Sequence, residues 1–161
     1  MPKTDIFEIR IITASTESWD DPARTVTYPG VEYYINGIPL LDMIREIEFP
    51  YCEQEGLPEL VCAYSLNSKE TMCRQFARAL EPPKYEGADE VALYSCAACG
   101  ICDCWSVCCC FREDGGYILM KDFFHDHRNW EYPFEFRFTR ENYFSEIEKL
   151  GEEDECTKDR A

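Results

Sequence analysis

The sequence predicts an α+β fold: a single domain over residues 1–151, built on a mostly antiparallel sheet with two to three flanking helices. Strand-like alternation gathers in hairpin-forming pairs, apolar residues fall at helical spacing in three separate segments, and the two types do not alternate regularly as a parallel sheet would require. The 161 residues are 45% hydrophobic with ten Phe, ten Tyr and three Trp, enough for one core without a metal or disulfide to hold it together.

Phe7, Ile9 and Ile11 alternate with Glu8 and Arg10, so Asp5 to Thr13 reads as a strand with one well-buried face. Ser15 to Arg24, with Asp20-Asp21-Pro22, reads as a surface loop. Thr25–Tyr28 and Val31–Ile35 read as short strands separated by Pro29-Gly30, and Asn36-Gly37 supplies the next turn. Leu40, Leu41, Ile44 and Ile47 then fall at helical spacing behind Pro39, a residue suited to the first helical position. Phe49-Pro50 is expected to end that helix after about ten residues, because the residue before proline avoids the helical region.

Cys52 to Leu66 shows no consistent period and is left unassigned. Asn67 with Glu70 resembles a capping box, Met72, Phe76 and Leu80 form a helical stripe, and Pro82-Pro83 stops it before a polar connector. Glu90–Ser95 and Trp105–Arg112 read as strands, and Asp114-Gly115-Gly116 turns the latter into a partner strand over Tyr117–Phe124. Tyr132–Phe138 is also strand-like. Thr139 then caps a last helix with Tyr143, Phe144, Ile147 and Leu150 inward, ended by Gly151 before a frayed acidic tail over 152–161.

Charge narrows the function classes. Lys and Arg number 16 against 32 Asp and Glu, a net charge of −16 shared by both halves of the chain. Such a surface repels phosphate and disfavours nucleic acid and anionic membrane as partners, whereas it suits a basic protein. No apolar stretch approaches a membrane span and no signal-peptide core follows Met1, so a cytoplasmic location is expected. In a reducing compartment cysteines are free, catalytic or metal-bound more often than paired.

Seven of the eleven cysteines lie between Cys96 and Cys110, with His125 and His127 shortly downstream. In Cys96-Ala97-Ala98-Cys99-Gly100 the two sulfurs converge on one side of a tight loop whose glycine permits the bend and whose amides can donate to thiolate, an arrangement suited to metal. A four-coordinate zinc site of Cys96, Cys99, Cys104 and His127 would close the loop against the far end of the hairpin, with Cys102 a competing ligand. Alternation places Cys109 in the core with Trp105, Val107 and Phe111, and puts Cys108 and Cys110 on the opposite, partly exposed face. Redox chemistry or an iron–sulfur cluster would use the same residues, although a CxxC leading into a strand lacks the helix N-terminus of a thioredoxin-like site.

Tyr34-Ile35-Asn36-Gly37 before Leu40–Glu46, then Leu93–Cys96, Cys99-Gly100, Cys104-Trp105, Phe124, His127-Arg128, Trp130, Tyr132, Phe136–Phe138 and Tyr143 form a recognisable series. The series resembles a family of uncharacterised bacterial proteins with a strand-turn-helix start, Cys-Cys-Gly and Cys-Trp motifs and a His-Arg/aromatic tail. The resemblance spans about residues 31–150 and implies a small cytoplasmic protein without a specified activity. The family places one residue between its first two cysteines where this chain has Ala97 and Ala98, so only the positions of Cys96, Cys99, Cys104 and His127 carry over.

Other constellations read as structural. Glu46, Glu48, Glu53 and Glu55 look like a solvated face, and the aromatic run from Phe123 to Phe138 like core packing. The expected function is a non-enzymatic protein-interaction domain, immunity-like by class analogy, with a structural or zinc-held cysteine loop. The alternative is a metal- or thiol-dependent enzyme centred on the same cysteines.

Overall fold

The computed structural model describes residues 3–17, 20–21, 23–82, 89–99 and 104–151. Strand β1 (Phe7–Glu17) pairs antiparallel with β2 (Thr25–Ile35) along its whole length, from Phe7 opposite Ile35 to Glu17 opposite Thr25. β1 therefore runs past Thr13 into the segment expected to be a loop. Pro29-Gly30 likewise makes no turn but lies inside β2. Gly30 is needed for close packing: a Cβ there would sit 3.0 Å from the Cβ atoms of both Ala14 and Leu66.

The turn at Asn36 and Gly37, both at positive φ, leads through β3 (Ile38–Pro39) into α1 (Leu40–Glu55). This helix passes through Pro50 instead of ending there. Proline removes one helical hydrogen bond, but the last turn is anchored by buried Cys52 and by Tyr51, whose ring stacks on Trp130. Gly56, at φ 70°, ends it.

After a 3-10 turn at Pro58–Leu60 come β4 (Tyr64–Ser68) and α2 (Lys69–Phe76). The cap of α2 is Ser68, whose hydroxyl accepts from the Thr71 amide, and not Asn67. Asn67 is buried and donates to the Ala92 carbonyl instead. The strand expected over Glu90–Ser95 is broken at Leu93 into β5 (Val91–Ala92) and β6 (Tyr94–Cys96). Strands β7 (Val107–Asp114) and β8 (Tyr117–His125) form the predicted hairpin, with Gly115 and Gly116 at positive φ.

The final strand β9 (Phe136–Thr139) is shorter than its sequence pattern, and α3 (Arg140–Ile147) is capped by Thr139 as expected. Tyr143 and Leu150 turn inward, whereas Phe144 is 38% exposed. The acidic tail and most of the polar connector lie outside the described residues.

Among the described residues two antiparallel sheets result, β1-β2-β4-β6 with β3 beside β2, and β5-β7-β8-β9, which with three helices make an α+β domain. The chain changes sheets at Leu93, whose amide still donates to Val107 while β6 turns away to β4. Aromatic rings join the sheets: Phe7 lies 4.8 Å from Phe138, and Phe111 meets Phe76 at 5.2 Å and Tyr143 at 5.5 Å, centroid to centroid. Cys109 is fully buried, and Cys108 and Cys110 are buried too, against the expectation of partial exposure. Eight described cysteines are free thiols, in line with the expectation that the cysteines are more often unpaired than paired, whereas Cys73 is disulfide-bonded.

Helix α3 replaces a missing strand at the open edge of β1. The Asn142 carboxamide accepts from the Phe7 amide at 2.8 Å and donates to the Phe7 carbonyl at 2.9 Å, while Glu146 accepts from the Ile9 amide and Lys149 donates to its carbonyl. Asn142→Ala leaves both Phe7 backbone groups without partners beside the core. The variant is expected to lose about 2 kcal/mol of stability in urea unfolding, with Asn142→Asp losing less because one acceptor remains. An unchanged midpoint for the alanine variant would contradict this role.

Candidate metal and aromatic centre

Strand β6 ends at Cys96, held through its pairing with Tyr64 on β4, and the turn that follows places Cys99 beside it. The Ala97 amide donates to the Ala63 carbonyl at 3.1 Å, which fixes the start of that turn. Cys104 arrives from the other side, just before β7. The three sulfurs lie within 4.8 Å of one another, Cys96 buried and the other two exposed.

The surroundings of Cys96 favour its thiolate form more than those of an ordinary cysteine do. Burial alone would raise its thiol, but the amides of Cys99 and Ala98 and the thiols of Cys99 and Cys104 all hydrogen-bond to it, and the balance lies below the ordinary thiol range. Cys104 carries the opposite bias, pushed up to about 12 by the bonds its thiol donates to Cys99 and Cys96. A soft cation placed among the sulfurs takes over the role of those shared protons, so the donor set fits a metal ion.

His127 takes a different position from the three cysteines. It is not one of the converging ligand groups: its half-exposed ring stacks on Trp105, centroids 6.2 Å apart and 13° from parallel. It therefore reaches the cysteine turn through the neighbour of Cys104. Cys102 lies outside the described residues.

Behind Trp105 sits a buried aromatic centre. His125, whose side chain is fully buried, contacts Trp105 edge-on at 4.2 Å and Trp130 at 5.0 Å. Its Nδ1 accepts from the His127 amide at 3.0 Å, which puts the ring proton on Nε2, an atom with no hydrogen-bond partner among the described residues. Asp126 accepts from the Ser106 amide at 2.8 Å and returns its own amide to the Ser106 carbonyl, clamping the entry to β7. The Arg128 guanidinium lies over Trp105, 4.9 Å from the ring centroid, and pairs with Glu55 at 3.4 Å.

Beneath this layer lies Glu48, which the sequence reading placed on a solvated face. It is fully buried. Oε1 accepts from the Cys62 amide at 2.9 Å, and Oε2 accepts from the hydroxyls of Tyr64 and Tyr132. Burial raises its carboxyl above the usual range although these three donors oppose the shift, and no cation among the described residues pairs with it. Leu40, Ile44, Glu48 and Cys52 are the buried residues of α1, so the i, i+4 spacing that marks the apolar stripe runs through Glu48. That spacing was the available signal.

No protein-family model matches the chain, and neither a curated protein nor a solved structure matches it. No helix among the described residues is long and apolar enough to cross a membrane.

Burial and the neighbouring charges of His127 and Arg128 push His125 down to about 4, below its ordinary value of 6.5. Between those values the unfolded chain gains a proton that the folded chain refuses, so this residue costs stability as pH falls through that window. Glu32 and Glu48, both raised, act in the opposite sense. Relative to His125→Gln, the native chain should therefore lose roughly 2 kcal/mol between pH 6.5 and pH 4 in denaturant titrations. Parallel pH profiles for the two proteins would contradict the assignment.

Proposed function

We propose that Cys96, Cys99 and Cys104 hold a zinc ion that fixes the junction between the two sheets, and that the domain is a non-enzymatic, acidic module for binding a basic protein. The convergence of three sulfurs within 4.8 Å around a thiolate-favouring Cys96 carries the metal part of this reading. Cys96 ends a strand of one sheet and Cys104 stands before a strand of the other, so an ion between them ties the sheets at the point where the chain crosses. The net charge of −16 supports the choice of a basic partner. A thiol- or metal-dependent enzyme at the same cysteines is the second reading, favoured by the lowered thiol of Cys96.

Protein purified without oxygen or chelator should contain about one zinc per chain, and serine at position 96, 99 or 104 should abolish it while Cys109→Ser retains it. Binding must displace the tightly held Cys104 proton, so zinc affinity should rise with pH across roughly pH 6–8, with proton release measurable in weakly buffered solution. Absence of stoichiometric metal, with one thiol alkylated far faster than the rest, would replace this reading with thiol chemistry.

A further inference from the structure

A groove of about 630 Å³ runs between the second half of α1 and the segment before β9. Glu46, Pro50 and Tyr51 form one wall, and Glu131 and Tyr132 the other. Its chemistry is one-sided. Glu46 and Glu131 are both exposed, and neither pairs with a cation among the described residues. No Lys or Arg among the described residues lines the groove. Arg128 in the adjoining depression is already engaged by Glu55 and Trp105, and Arg45, next to Glu46 on α1, is paired with Asp42.

Pro50 adds a further acceptor. In a helix the N–H of residue 50 would donate to the carbonyl of residue 46, but proline has no N–H, so the carbonyl of Glu46, a residue that lines this groove, loses its helical donor. The floor is aromatic and fixed. Tyr51 stacks on Trp130 at 6.0 Å and its hydroxyl accepts from the Glu131 amide at 3.2 Å, while the Tyr132 hydroxyl is committed to Glu48.

Two carboxylates and a freed carbonyl around tyrosine rings call for a flat cation with several N–H donors. We propose that this groove binds an arginine side chain of a basic partner, its guanidinium laid on Tyr51 and bonded to Glu46 and Glu131. The proposal rests on the basic-partner part of the reading above and is independent of zinc. It also gives a reason for a proline inside a helix: a locally unfavourable residue is retained where it exposes an acceptor that the site uses. Arginine is preferred to lysine because its planar fork can stack on the ring and reach both carboxylates together.

The test uses the full chain at low salt and a blocked five-residue peptide, glycine with arginine at two positions, against its lysine counterpart. Binding is followed by calorimetry and by NMR shifts of the tyrosine rings. The arginine peptide should bind more tightly than the lysine peptide and shift Tyr51 and Tyr132. Glu46→Gln and Glu131→Gln should each weaken it by about tenfold, and Glu141→Gln on α3 should not.

Pro50→Ala is the decisive variant. By restoring the helical bond it should raise the melting temperature and yet weaken the peptide severalfold, a combination that a purely structural proline would not produce. Equal binding by all variants would overturn the groove while leaving the basic-partner reading intact. No binding by the native chain would overturn both.

Discussion

Glu48 is the point through which the rest of the structure is connected. A buried carboxyl in apolar surroundings is costly unless its oxygens are satisfied, and here three donors come from two separate segments: the Cys62 amide and the Tyr64 hydroxyl at the start of β4, and the Tyr132 hydroxyl on the segment before β9. One helix is thereby tied to both sheets' connecting segments. Tyr64 pairs with Cys96, where the sulfur cluster begins, and Tyr132 lines the groove beside α1. The same side chain supports the cysteine turn on one side and the acidic groove on the other.

The two sites differ in how they are built. The sulfur cluster joins two strand ends at the crossing between sheets, so its shape depends on the β4–β6 pairing and on the Asp126 clamp at Ser106. The groove depends on a helix whose last turn continues beyond a proline because Tyr51 and Cys52 are anchored. Between them lies a closed aromatic layer of Trp105, His125 and Trp130, with Arg128 and His127 packed over Trp105. His127 belongs to this layer, which explains how it stands near the cysteines in sequence and motif while its ring is committed to stacking.

Much of the architecture was legible because local signals agreed with tertiary demands. The Asn36-Gly37 turn, the β7–β8 hairpin, the Thr139 cap and the buried Cys109 all followed from turn chemistry, capping or alternation. The failures share a cause: a local rule was outweighed by packing that sequence alone does not display. Pro29-Gly30 carries a turn signature, but three strands needed a residue without a Cβ there. Pro50 carries a stop signature, but the helix was held beyond it. Asn67 and Glu48 looked like a cap and a surface charge, and each is instead a buried polar group spent on long-range hydrogen bonds. The sulfur trio was visible as a motif, whereas the groove was not, because its walls are eighty residues apart in sequence, as the Tyr51–Glu131 contact shows.

Hydrogen exchange on Glu48→Met tests the connecting role most directly, since the substitution keeps the volume near that of Glu48 and removes the acceptors. If Glu48 couples the two sites, the amides of Tyr64 and Ala97 beside the cysteine turn and of Glu131 beside the groove should all exchange about tenfold faster or more, while the Ile9 amide held by Glu146 keeps its protection. Unchanged exchange at all three, or loss on one side alone, would contradict the claim that one buried carboxyl holds both sites together.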